Sequence, residues 1–245
     1  MYTIHPIVMG TKVFDKGMMT YQHEYGTPYT IPIYCWYIEG GDKKILIDTG
    51  EMHPVRSEER ERAIGGRIYT FEEGLALHGL KPADIDAVIH THLHSDHCEN
   101  DYKCENAKFY IHVKELETIR EPHPLDFRYV EDFIFEIGQN GQIEVVREDG
   151  ALFPGIRVMH TPAHTPGGMS VFIDTGEITT AITGFCIIQE NYEVPVQVRA
   201  MEMEVIPPGT NINSYEAYDI MLDVRNKADR IIALHEPRYA TGEPL

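Results

Sequence analysis

His90-Thr91-His92-Leu93-His94-Ser95-Asp96-His97 is the stretch whose reading decides this chain. It closes the apolar run Ile85 to His90, which has the length and composition of a short buried strand. Four ligand-type side chains, His92, His94, Asp96 and His97, fall within six residues at that strand end. In extended chain, residues 92 and 94 point the same way because strand periodicity is two. A turn into helix near Asp96 brings Asp96 and His97 toward a neighbouring ion. Imidazole suits zinc, iron and similar borderline ions, and carboxylate oxygen completes such sites. A lone histidine is more often a surface or core residue than a ligand. A cluster of ionisable groups behind an apolar strand is different, because it is costly to bury unpaired. His90 precedes the cluster and reads as a packing residue or as a support behind a ligand.

One segment cannot complete two ions, and three more ligand-type residues stand at strand ends. His164 lies in Thr161-Pro162-Ala163-His164-Thr165-Pro166-Gly167-Gly168, a stiff, sharp loop after a strand that ends at His160. His235 follows the apolar run Ile231-Ile232-Ala233-Leu234, and Cys186 follows the strand Thr179 to Thr183 in Thr183-Gly184-Phe185-Cys186. Side chains from successive strand ends would converge on one edge of a sheet.

Further out, Ile31 to Ile38 and Lys43 to Asp48 read as a hairpin around Gly40-Gly41-Asp42. Phe71 to His78 reads as a helix stopped by Gly79. Lys108 to His112, Ile143 to Arg147, Ile156 to His160, Ser170 to Asp174 and Arg230 to Leu234 read as strands. Val113 to Arg120 and Ser214 to Asn226 read as helices, the latter with Tyr218, Met221 and Leu222 on one side. Glu121 to Gly138 is rich in proline and aromatics without a clean period, so it reads as a loop or lid. Mixed strands with interspersed helices give the class α/β or α+β, and no linker or repeat divides residues 1–245, so one domain is expected.

The signature His92-x-His94-x-Asp96-His97, with the Ile45-Leu46-Ile47-Asp48-Thr49-Gly50 element and the His164 loop, resembles the metallo-β-lactamase superfamily. Ile31-Pro32-Ile33-Tyr34-Cys35-Trp36-Tyr37 and Glu190-Asn191-Tyr192-Glu193-Val194-Pro195 make it most similar to the N-acyl homoserine lactonase branch. The resemblance implies a four-layer αββα sandwich with metals at one sheet edge. It implies His92, His94 and His164 on one ion, and Asp96, His97 and His235 on the other. It implies two zinc ions, with iron, manganese or cobalt as alternatives, and hydrolysis by a metal-bound hydroxide, with Asp96 orienting the nucleophile and serving the leaving group. Two departures stand out. The family's bridging Asp is replaced by Gly184-Phe185-Cys186, so Cys186 reads either as a substitute ligand, which favours zinc, or as a buried apolar cysteine. The lactonases' catalytic Tyr is also missing, since Ile187 and Ile188 stand there; Tyr192 is the next tyrosine along the chain. Asp48 reads either as an acceptor that fixes a ligand imidazole or as a turn cap. Two irregular segments, Tyr21 to Tyr29 and Glu121 to Phe135, are expected to wall the substrate or merely to pack.

Lysine and arginine number 21 against 39 acidic residues, a formal charge of −18. A field of that sign repels nucleic acid and anionic membranes, so a small-molecule ester, lactone or amide is the expected partner. The N-terminus shows no signal peptide, no stretch has a membrane span's length, and the four cysteines have irregular spacing. A cytoplasmic protein with free thiols is therefore expected, and a homodimer is expected from base rates alone. The alternatives left open are a thioester hydrolase of the glyoxalase II kind, a β-lactam hydrolase and a non-enzymatic metal sensor. Against the second stands the missing leader. Against the first stands a chain that stops ten residues after His235, leaving no C-terminal substrate domain.

Overall fold

A computed structural model describes residues 1–245. The first sheet holds β1 (Thr3–Asp15), β2 (Pro28–Glu39), β3 (Ile45–Ile47), β4 (Ala87–Ile89), β5 (Lys108–His112) and β6 (Ile143–Val146), paired in that order. Its first two pairings are antiparallel and the rest parallel. The second sheet holds β7 (Gly150–Phe153), β8 (Ile156–His160), β9 (Met169–Asp174), β10 (Thr179–Ile182) and β11 (Arg230–Ile232), also in sequence order. It is antiparallel except where β10 meets β11. The helices are α1 (Glu58–Ile64), α2 (Phe71–Ala76), α3 (Ser95–Cys98), α4 (Val113–Arg120), α5 (Asp132–Gln139), α6 (Val196–Arg199) and α7 (Ser214–Lys227).

Period-two alternation decides the layering. Ile45, Ile47, Ala87 and Ile89 face Val171, Ile173, Ile182 and Ile232 in one core between the sheets. Leu46 and Val88 point outward, under Phe71 and Leu75 of α2, Ile119 of α4, and Ile134 and Ile137 of α5. On the far side Phe172, Ala181 and Ala233 meet α7 through Ala217, Met221 and Val224. Both sheets are thus apolar on both faces and helix-covered, the expected four-layer αββα sandwich. The caps follow the sequence: Thr70 and Glu73 form a reciprocal capping box on α2, and Asn213 accepts from Tyr215 N and Glu216 N to start α7.

Several expectations shift. β1, thirteen residues with a bulge between Val8 and Gly10, has no clean alternation in sequence because the bulge changes its facing residue. Part of the expected Glu121 to Gly138 loop is helix α5, anchored by Ile134 and Ile137. The buried face of α7 is Ala217, Met221 and Val224, while Tyr218 and Leu222 are only partly buried. β3, β4 and β11 each span three residues, shorter than expected, because the residues after them leave the sheet to build the site. All four cysteines are free and buried, and no helix is long and apolar enough to cross a membrane.

Candidate metal centre

The ends of β4, β8, β10 and β11 bring His92, His94, Asp96, His97, His164, Cys186 and His235 around one cavity of about 450 Å³. After Ile89 the chain bends at Thr91, is extended at His94 (φ −62°, ψ 146°) and then turns into α3. This brings the His92 and His94 rings to 4.6 Å between centroids, and the helical turn carries Asp96 and His97 to the adjoining wall. The His164 loop is closed by Thr161 N donating to Gly168 O at 2.7 Å. Glu115 of α4 then ties three segments together. Its buried carboxylate accepts from Leu93 N at 2.8 Å, Gly167 N at 2.9 Å and the Tyr129 hydroxyl at 3.0 Å. Gly167 permits this approach, since a Cβ there would meet Glu115 N at 2.4 Å. Nothing in the sequence marked Glu115, because its partners are backbone N–H groups distant along the chain.

His92, His94 and His164 each offer a ring nitrogen, all within 4.8 Å of one another and all buried. Their hydrogen bonds fix the tautomers. Thr91 Oγ1 donates to Asp48 Oδ2 at 2.7 Å, so its lone pair accepts from His92 Nδ1 at 3.0 Å. His164 Nδ1 donates to the Thr210 carbonyl at 2.7 Å, and His94 Nε2 donates to Asp126 Oδ2 at 3.1 Å. The opposite nitrogens are therefore bare. His92 Nε2 is buried without any partner, and His94 Nδ1 faces His164 Nε2 at 3.2 Å with no proton between them. Burial, reinforced by neighbouring imidazoles, holds His92 and His164 well below the ordinary histidine pKa. Converging lone pairs of this kind fit a divalent cation. Two imidazoles on one tetrahedral zinc stand about 3.3 Å apart, from Zn–N bonds near 2.05 Å.

The adjoining wall is built likewise. His97 Nδ1 donates to Asp48 Oδ2 at 2.8 Å, and His235 Nδ1 donates to the Pro32 carbonyl at 3.0 Å. Burial and the neighbouring His97 bring His235 down to about 4. Burial opposes charge on His97, yet Asp48 and Asp96 outweigh it and raise its pKa, a basicity that a metal ion takes up in place of a proton. Asp48 is the organiser: a left-handed φ of 57° lets its carboxylate turn back to Thr91 N at 2.7 Å as well as to His97. Gly50 (φ 70°) completes the turn, where a Cβ would meet Met9 Cβ at 2.3 Å. Of the two roles open to Asp48, the structure gives it the imidazole-orienting one. Beneath it His90, fully buried between Asp101 Oδ2 (2.8 Å) and Asp48 Oδ1 (3.5 Å), supports the cluster from behind. Burial disfavours its charge, but the two carboxylates raise it to about 10.

Not every expected residue is brought together equally. Asp96, His97 and His235 do not form a close trio like that of His92, His94 and His164; His97 Nε2 and Asp96 Oδ1 stand 4.0 Å apart. Cys186 reaches the cavity, but it also packs with Met19, Ile31, Ile33 and Ile188, and burial pushes its thiol up to about 11. Ile187 and Ile188 are buried, and the Tyr192 hydroxyl is buried without a partner, away from the cavity. Of the two expected walls, only the later one contributes, through Leu125, Phe127 and Arg128. Tyr21 and His23 instead line a separate hollow with Met201, Met203 and Tyr215. The remaining site lining is Ser95 of α3, Thr210, and Lys12, Phe14, Met18 and Ile31 on β1, β2 and the segment between them.

The comparisons with known proteins fall in line with this geometry. The metallo-beta-lactamase superfamily model matches residues 29–184. An N-acyl homoserine lactonase of Bacillus cereus is 26% identical over 215 residues, covering 80% of this chain and 80% of that protein. An N-acyl homoserine lactone hydrolase, solved with N-hexanoyl-L-homoserine at its catalytic metal centre, matches with a TM-score of 0.73 at 21% identity over 96% of this chain and 93% of that one. A dizinc quorum-quenching lactonase matches with a TM-score of 0.66 at 15% identity over 96% and 88%.

Proposed function

Because the chain belongs to the metallo-β-lactamase superfamily, we propose that it is a metal-dependent hydrolase that opens a lactone or a related cyclic ester or amide. His92, His94 and His164 would hold one divalent ion; Asp96, His97 and His235, with Cys186 in place of the family's bridging carboxylate, would hold a second. The observation that carries this is the set of imidazoles that each donate one ring N–H to a protein acceptor and leave the other nitrogen toward the cavity. A nitrogen-rich set with one thiol suits zinc. Bound ions would polarise a substrate carbonyl and lower the pKa of a water to near neutrality.

The protein's own groups do the rest. Asp96 is the cavity-lining carboxylate among the candidate ligands. Burial works against its charge, but His97, His235 and His94 keep its pKa below the ordinary carboxylate value, so it is ionised and able to orient a water. It can accept a proton from that water as the water adds to the carbonyl carbon, and deliver it to the leaving oxygen or nitrogen as the ring bond to the carbonyl breaks. Phe14, Met18, Ile31, Leu125 and Phe127 give the cavity an apolar wall for the body of the substrate. The lactonase relatives favour a lactone first. The Ile pair at 187–188 leaves no tyrosine hydroxyl in the cavity, so the substrate lies away from the homoserine lactones unless Asp96 alone serves the leaving group. The core shared by both sheets supports reading residues 1–245 as one domain.

The test is proton release by zinc-loaded protein against lactones of graded ring and chain size, with thioesters and β-lactams alongside and chelator controls. Chelator-sensitive acid production from lactones supports the reading, and from acyl homoserine lactones it supports a quorum-quenching role. Turnover of thioesters alone reassigns the reaction, and silence on every class overturns the hydrolase reading.

A further inference from the structure

The chain between α4 and α5 is fastened beside the candidate metal centre at several points. Arg128 O accepts from Ser95 N at 2.9 Å, His94 and Tyr129 form an isolated β-bridge, and the buried Tyr129 hydroxyl donates to Glu115. Asp126 accepts from His94 Nε2 at 3.1 Å and from Arg128 Nε at 2.7 Å. The backbone of Arg128 is therefore fixed relative to His94 rather than left to wander on a loop.

The guanidinium carries five N–H donors. Only the Nε donor has a partner, and both terminal nitrogens are free of hydrogen bonds and ion pairs. The other cation lining the cavity, Lys12, is already paired with Glu51. In a chain of formal charge −18, one guanidinium with unspent donors therefore stands beside the reaction centre. Around it the walls are apolar, and Leu125 and Phe127 are 83% and 85% exposed at the same segment. Both also line the cavity, so their apolar surface is available to a ligand seated there.

We propose that Arg128 is a specificity-determining residue and that the substrate carries a carboxylate, on an otherwise apolar body, which the Arg128 fork receives while the scissile carbonyl lies at the metal centre. The inference rests on the hydrolase reading and names its substrate class. A planar fork matches a carboxylate bidentately. Lys12 and Arg128 are ion-paired already, with Glu51 and Asp126, so the cavity has no spare positive charge for a phosphate dianion, whereas a carboxylate needs only the two terminal nitrogens that Arg128 keeps free. Leu125 and Phe127 would cover the apolar body when it binds.

The test compares zinc-loaded wild type, Arg128→Gln and Arg128→Lys on a matched pair of lactones whose side chain ends in a carboxylate or in its carboxamide. Charge-assisted hydrogen bonds favour the acid by about 10–100-fold in kcat/KM. That ratio falls to about one in Arg128→Gln, mainly through KM, and is intermediate in Arg128→Lys, which keeps the charge but not the fork. If Arg128 serves only to hold Asp126, the variant slows both substrates alike and leaves the ratio unchanged, which overturns the proposal. So does a wild-type enzyme without preference for the acid. Calorimetric titration with the corresponding cyclopentanone acid and amide, which cannot be hydrolysed, reads the same discrimination without turnover. Silence on every lactone would then count against the choice of a lactone in the proposed function and leave the carboxylate site to the titration. A titration in which wild type and Arg128→Gln bind acid and amide alike would count against the carboxylate.

Discussion

Replacing Asp48 with Asn changes one buried atom and removes one charge, and the hydrogen bonds around it set the consequences. Asp48 Oδ1 accepts from Thr91 N at 2.7 Å; Oδ2 accepts from Thr91 Oγ1 at 2.7 Å and from His97 Nδ1 at 2.8 Å. The backbone tolerates Asn at φ 57° as it does Asp. The amide oxygen must stay on the Thr91 N–H, which cannot move its proton, so the amide nitrogen replaces Oδ2 and faces His97 Nδ1. Two donors then oppose each other unless His97 shifts its proton to Nε2, the atom that the proposed second ion would take. Loss of such an orienting acceptor weakens metal binding by about 10–100-fold, or about 1.4–2.8 kcal/mol. His90 also loses one of its two carboxylates, and stripping one partner from a buried charged cluster costs about 3–5 kcal/mol of stability. The two effects are separable. Urea unfolding in chelator reads the fold, and competition against a chromogenic chelator, at a temperature where the variant is folded, reads zinc affinity. A folded Asp48→Asn protein whose zinc affinity stays within twofold of wild type would refute the tautomer argument.

Three further outcomes are expected. Cys186→Ala should hold less zinc per chain than wild type, measured by metal analysis after dialysis, and full retention would remove Cys186 from the proposed ligand set. Glu115→Gln should cost about 3 kcal/mol, because one carboxylate oxygen becomes a donor facing buried N–H or O–H groups; the urea midpoint should fall at unchanged m-value, and an unchanged midpoint would refute it. His112 is buried and stacked on His160 at 4.0 Å between ring centroids, and burial followed by His160 brings its pKa down to about 4. The unfolded chain, near 6.5, then binds the proton more readily, so this contribution is present above that value and is lost as pH falls from about 6.5 to about 4. His112→Asn, which can still cap α4, should lose less stability than wild type between pH 7 and pH 5 in chelator. Equal losses would sink this assignment.

The signature from His92 to His97 was legible because its order is local: an apolar strand, ligand-type residues at period two, then a helical turn. His164 and His235 were legible for the same reason, each standing directly behind an apolar run. The class α/β or α+β was legible in the mixed order of strands and helices, while the four layers came only with the family resemblance; the structure builds them by alternation in the central strands, where Ile45, Ile47 and Leu46 divide between the two faces. The sequence could offer two roles for Asp48 without choosing, because the choice depends on where Thr91 and His97, more than forty residues away, come to rest. Glu115, Lys12 and Thr210 carried no signal, since their partners come from other elements, and Asp126 and Arg128 were marked only as part of the Glu121 to Phe135 wall, because the contact that matters is with His94, more than thirty residues away. The bulged strand β1 and helix α5 were missed where a register shift and a proline-rich approach hid the period. By itself, then, the sequence determined which residues have ligand chemistry and which strands bury them, since both depend on composition and short-range periodicity. The tertiary structure alone decided which nitrogen of each imidazole is bare and which cation beside them keeps unspent donors, because those depend on acceptors that meet only when distant segments are packed against one another.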